Sequence, residues 1–150
     1  MRLDGVRVLD LTRLLPGPYA TQLLADAGAD VVKIEDTNRG DYAREMPPFT
    51  ERNVGAIFDS VNRGKRSVAV DLKSEAGLGA FYALVEGVDV VIEQFRPGVV
   101  DRLGVDYETL REHNDDLIYC SLSGYGQTGP YADRAGHDLN YAGLAGLLDM

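Results

Sequence analysis

The stretch VRVLDLTRLLPGPYATQLLADAGADVVKIE, residues 6–35, contains two β-prone runs separated by a breaker and a helical pattern. Residues 6–11 are rich in Val and Leu and favour an extended chain. LLPGP then interrupts them, because Pro fixes φ and removes an amide donor while Gly bends without a Cβ. A helical pattern over 19–27 stops at Gly28, the residue type that most easily reverses the chain after a helix. DVVKIE, 30–35, follows as a short strand with a buried-looking Val-Val-x-Ile core.

The same alternation continues outward. Residues 36–56 are polar, with Gly40, Pro47 and Pro48, and are expected to wander over the surface. SVAVDL (67–72) predicts a strand, and a helix over 74–86 opens on Ser74 as N-cap. DVVIEQ (89–94) is a third apolar run, followed by FRPGVV as a helical turn and DYETLREHN (106–114) as a helix. LIYCSLSG (117–124) closes the series of strands, and a last helix is expected over 137–149. Short strands alternating with helices predict an α/β, Rossmann-like fold with a parallel sheet and flanking helices. Such sheets bind ligands beyond the carboxyl ends of their strands. LLPGP, 36–56, EQFRPG and SGYGQTGP all lie there. No G-x-G-x-x-G follows the first strand, so the layout lacks the dinucleotide signature.

The chain has 150 residues, enough for about one domain. Its apolar runs are too short to span a bilayer, and MRLDGVRVLDLT alternates where a signal peptide would be continuously apolar. It therefore reads as cytoplasmic. Cys120 is the one cysteine, which excludes an internal disulfide; on its apolar strand it is expected in the core. A net charge of −9 argues against nucleic-acid or anionic-membrane partners. Sixteen Asp against eight Glu, and three Lys against twelve Arg, look like adaptation to high salt, with an ordinary acidic protein as the alternative.

Positive charge gathers in NRGKRSVAVDLK (62–73), at Arg63, Lys65, Arg66 and Lys73, with further bases at Arg96 and Arg102. Such a cluster suits a phosphorylated ligand, although solvated pairs with nearby carboxylates are the commoner outcome. In SGYGQTGPYADRAGHDLNY (123–141), His137 stands where a loop becomes a helix. The positive end of the helix dipole disfavours imidazolium there, while Asp138 pulls the other way. A structural role is the usual one for a lone histidine. Gly124, Gly126 and Gly129 let the neighbouring backbone approach a ligand. His113 lies in a polar stretch (REHND) and is expected to be solvated. Tyr19, Tyr125, Tyr131 and Tyr141 are available to pack against a ligand.

Taken in order, residues 6–35, NRGKRSVAVDLK, DVVIEQFRPGVVDRLGVD and SLSGYGQTGPYADRAGHDLNYAGLAG resemble the family III CoA-transferases along almost the whole chain. RAGHDLNYAGLAG is similar to the α-methylacyl-CoA racemase branch. The resemblance implies the N-terminal part of that family's large domain, apparently truncated, with a small domain and C-terminal completion outside this chain. It implies no tightly bound cofactor and no metal, coenzyme A entering as part of an acyl-CoA substrate, and an interlocked homodimer. CoA would lie along Val70, Asp71, Leu72 and Lys73, along Gln94, Phe95, Arg96 and Arg102, and along Gly136, His137, Asp138, Leu139, Asn140 and Tyr141. His137, with Asp138 beside it, would be the acid/base of racemisation through an enolate.

The alternative within the family moves CoA between carboxylic acids, using an aspartate beyond this chain as the nucleophile that forms an aspartyl-CoA intermediate. A non-catalytic CoA-binding module is a third reading. Two positions depart from the family pattern. Gln94 stands where Asn is frequent, and Asp36 stands where Arg is common, with Arg39 as a possible substitute.

Overall fold

The computed structural model describes residues 2–149. Strand β1 (Arg7–Asp10) runs into helix α1 (Pro16–Asp26), and β2 (Asp30–Glu35) follows with the bounds expected from DVVKIE. After a 3-10 turn at Tyr42–Glu45 come α2 (Ala56–Val61), β3 (Arg66–Ala69) and α3 (Glu75–Val85). The chain continues through β4 (Val90–Glu93), α4 (Val99–Leu103), α5 (Tyr107–Arg111), β5 (Ile118–Ser121) and α6 (Asp138–Leu144). All five strands are parallel, in the order β3-β2-β1-β4-β5. The α/β expectation is met.

Alternation along each strand divides the core. Leu9, Ile34 and Val91 point to one face and pack with Phe81 and Val85 of α3, Val105 and Leu110. Val8, Val31 and Ile92 point to the other and meet Leu24 and Ala25 of α1. Period-2 side chains on strands buried on both faces produce this two-sided core.

Several expectations change at their edges. Strands drawn over 67–72, 89–94 and 117–124 are each four residues long. Their last predicted residues peel into loops, although Val70 and Leu122 still donate to Glu35 and Glu93 carbonyls at 2.8 Å. Helix α1 begins at Pro16, where a missing amide hydrogen costs nothing in the first turn. The last predicted helix ends at Leu144 and, after Gly146 at φ 79°, tightens into a 3-10 turn over Leu147–Asp149.

The segment after β2 is tethered, not wandering: Arg44 holds Glu35 through two bonds of 2.8 and 2.6 Å, and the Gly55 amide donates to the Arg44 carbonyl at 2.8 Å. Cys120 is exposed rather than core, because β5 is an edge strand whose outer face is uncovered, with Ile118 62% exposed. His113 is not simply solvated; its ring stacks on Tyr82 at 4.2 Å.

Ser74 caps α3 as expected, its hydroxyl accepting the Gly77 amide at 3.1 Å. Ser74→Ala will therefore lower stability by about 1 kcal/mol in urea unfolding. A change below a few tenths would show that the cap contributes nothing.

Candidate functional site

The chain leaves β1 toward β2 and β3 on one side and returns with β4 on the other, so the β1–β4 boundary is a topological switch point. Crevices form at such boundaries. A cleft of about 520 Å³ opens at the carboxyl ends of these strands, between Leu11, Ile34 and Val70 and the wall of Phe95, Val99 and Leu103.

Its charged lining is Arg13, Lys73 and Arg102 against Glu35, Asp36 and Asp71. Glu35 is bound to Arg44, and Asp71 folds back to accept the Lys73 amide at 3.0 Å. Neither Lys73 nor Arg102 has a carboxylate within 4.0 Å among the described residues. Arg13 lies 3.5 Å from Asp36 and 5.8 Å from the Phe95 ring centroid. The Arg39 and Asn38 amides and the Arg13 guanidinium lower the Asp36 pKa, with partial desolvation opposing them.

The loop carrying Arg13 is fixed from three directions. Leu14 takes φ 63°, an unfavourable region for a side chain with a Cβ. Its amide donates to both Asp41 carboxylate oxygens at 3.2 Å. Asp41 in turn pairs with Lys33 at 3.0 Å, with both side chains at most 1% exposed, and Lys33 donates to the Thr12 carbonyl at 2.7 Å. On the other flank Gln94 donates to the Arg13 carbonyl at 2.7 Å and accepts the Gly17 amide at 3.1 Å. A Cβ on Gly17 would overlap both Thr12 and Gln94.

Strands β1, β2 and β4 each end in a buried carboxylate that secures the following loop. Asp10 accepts the Thr12 amide at 2.9 Å, the Thr21 hydroxyl at 2.6 Å and the Lys65 ammonium at 3.1 Å. Glu35 accepts the Asp41 amide at 2.9 Å. Glu93 accepts the Phe95 amide at 2.6 Å and the Ser121 hydroxyl, while its burial raises its pKa.

Six of the residues named from the sequence, Val70, Asp71, Leu72, Lys73, Phe95 and Arg102, line this one cleft. Gln94 does not, since both ends of its amide bind the β1–α1 loop. Arg96 is exposed and outside the lining. Gly136 through Tyr141 lie on a separate segment after β5. There the His137 amide donates to Asn140 at 2.9 Å, opening α6, and Tyr141 donates to the Gly136 carbonyl at 3.0 Å and packs on Tyr125. His137, Asp138, Leu139 and Asn140 are exposed and do not line the cleft.

The basic cluster also divides. Arg63 pairs with Asp26 at 2.5 Å, and Arg66 with Asp30 at 2.6 Å. Lys65 is internal, bound to Asp10, Thr21, the Pro18 carbonyl and Asn62. Only Lys73 of the four reaches the cleft. Arg39 pairs with Glu45 and does not take up the Asp36 position. Arg13 was missed. Its place immediately beyond the first strand is the signal that could have found it, since ligand-contacting side chains gather there.

A family model described as CoA-transferase family III matches residues 3–150. The succinate–glutarate CoA-transferase of Agrobacterium fabrum is 47% identical over 154 residues, covering 99% of this chain and 38% of the relative. The succinyl-CoA:mesaconate CoA-transferase of Haloarcula hispanica is 49% identical over 157 residues, covering 99% and 39%. The crystal structure of a CAIB/BAIF family protein from Brucella suis superposes with a TM-score of 0.93 at 45% identity, covering 99% of this chain and 40% of that one. The chain thus spans about two-fifths of the length of these relatives.

Proposed function

Because the chain belongs to CoA-transferase family III, we propose that it forms the coenzyme-A-binding part of an enzyme that moves CoA between carboxylic acids. The observation that carries this reading is the cleft at the switch point, where Lys73 and Arg102 stand without ion-pair partners among the described residues, beside an apolar wall. Charge-assisted bonds from such groups suit the phosphates of CoA, and Phe95, Val99 and Leu103 offer apolar surface to the rest of the cofactor. Relatives named succinate–glutarate CoA-transferase and succinyl-CoA:mesaconate CoA-transferase support transfer over the racemisation expected from AGHDLNY. The exposed position of His137, apart from the cleft, gives racemisation no added support, and this reading assigns His137 and Asp138 no step.

The full polypeptide, given succinyl-CoA and a second dicarboxylate such as glutarate, is expected to form the second thioester with parallel-line, ping-pong kinetics. Intersecting lines, or no transfer alongside exchange of the α-hydrogen of a 2-methylacyl-CoA in heavy water, would overturn the reading. Within it, Lys73→Ala and Arg102→Ala each raise KM for the CoA thioester about ten-fold with little change in kcat, as loss of a charge-assisted contact made equally in ground and transition states requires. A KM unchanged in both variants removes these residues from the site.

A further inference from the structure

Of the three cations lining the cleft, Arg13 alone faces an anion within 4.0 Å among the described residues. The contact to Asp36 is loose: 3.5 Å between Nη2 and Oδ2, with the two side chains 37% and 34% exposed. Charge-assisted bonds are normally about 2.7–2.9 Å, and Arg44 reaches that range on Glu35 nearby. The two partners are not equally held. The Asp36 carboxylate is pinned by the Asn38 and Arg39 amides, both donating to Oδ1 at 2.9 Å. The Arg13 guanidinium has no hydrogen-bond acceptor within reach among the described residues beyond this long approach to Asp36, although its backbone is rigidly held. A fixed carboxylate thus stands beside a cation whose head can turn toward a ligand.

We propose that Asp36 sets the anion selectivity of the cleft by competing with a ligand phosphate for Arg13. This rests on the CoA-binding reading. A phosphate drawn to Arg13 must displace the guanidinium from Asp36 and then lie beside a carboxylate that cannot withdraw. Asp36 therefore lowers the affinity for phosphorylated ligands, whereas Lys73 and Arg102, with no such competitor among the described residues, raise it.

Asp36→Asn removes the charge and retains an oxygen for the Asn38 and Arg39 amides, so the loop keeps its anchor. Binding to the full polypeptide is measured by calorimetry with CoA, 3′-dephospho-CoA and inorganic pyrophosphate. Asp36→Asn is expected to lower the Kd for CoA about three- to five-fold, the scale of a partly exposed ion pair, and to do nothing in an Arg13→Gln background. A gain kept with 3′-dephospho-CoA assigns the competing group to the pyrophosphate, and a gain lost with it assigns the 3′-phosphate. An unchanged or raised Kd in Asp36→Asn, or a gain that persists without Arg13, overturns the proposal. Failure of the unsubstituted protein to bind CoA would overturn the coenzyme reading instead. In that case the pyrophosphate series still decides the role of Asp36.

Discussion

Asp10→Ala will lower the stability of the fold by about 3–5 kcal/mol, because it leaves the Lys65 ammonium internal without its counter-charge. The two side chains are 0% and 1% exposed and 3.1 Å apart. Burial pulls the Lys65 pKa down, and Asp10 pulls it back up. Without Asp10, burial and the neighbouring Lys33 pull it down against Asp41, so the deficit should shrink as pH rises and Lys65 loses its proton. Urea unfolding at neutral and alkaline pH reads both effects, with the midpoint moving and the m-value unchanged. The double variant Asp10→Asn with Lys65→Met removes both charges, keeps an acceptor for Thr12 and leaves the Thr21 hydroxyl to the Gly17 and Pro18 carbonyls at 3.1 Å, and should recover most of the loss. A loss below about 1 kcal/mol for Asp10→Ala, or no recovery in the double variant, would show that the pair is not what holds these elements together.

The second large effect is acid destabilisation through Glu35. Burial alone would raise its pKa, but the Arg44 guanidinium, the Ser67 hydroxyl and the Asp41 amide outweigh it and bring the value from 4.5 down to about 2. A carboxylate whose folded pKa is depressed contributes stability that is complete above its unfolded pKa. That contribution is lost as pH falls from about 5 toward 2. With Arg44 partly exposed and screened, the loss is about 2–3 kcal/mol. Other carboxylates titrate in the same window. Asp36 and Asp106 act in the same direction as Glu35, and Glu93, with its raised pKa, acts in the opposite one. The measurement is therefore the difference between the original protein and Glu35→Gln in urea unfolding at pH 7 and pH 3. The gap between the two should be wide at pH 7 and clearly narrower at pH 3, closing only near pH 2 where the folded carboxyl gives up its charge. An equal gap at both values would place the acid sensitivity elsewhere.

The sheet was legible because its strands are short apolar runs punctuated by Gly, Pro and capping residues, and both signals are local. DVVKIE matched β2 at both ends, and Ser74 capped α3. What escaped depends on contacts between segments distant in sequence. AIFDSV lies next to a polar stretch too short to show a helical period, so α2 went unseen. Cys120 has an apolar sequence neighbourhood, yet the exposure of a strand depends on its place in the sheet order, and β5 is at the edge. Lys65 looked like one more member of a basic cluster. Its partner Asp10 is fifty-five positions away, and no local rule shows that one of four cations turns inward. For the site, VDLK and the Phe95–Arg102 region were read through the family resemblance, and both prove to follow strands, β3 and β4. Arg13 was not, because LTRLLPGP reads first as a breaker. The Gly136–Tyr141 segment was read through its resemblance to a motif, and a motif does not state where a segment packs.

Asp41 gathers Lys33 from the sheet, the Leu14 amide from the first loop and the Ala43 amide from its own turn onto one carboxylate. The loop bearing Arg13 and the loop bearing Asp36 are therefore parts of a single mechanical unit. A change anywhere in the tethered segment that shifts Asp41 by a fraction of an ångström would be transmitted to the guanidinium at the mouth. Remodelling of that outlying loop would then retune ligand preference without touching any residue that meets the ligand.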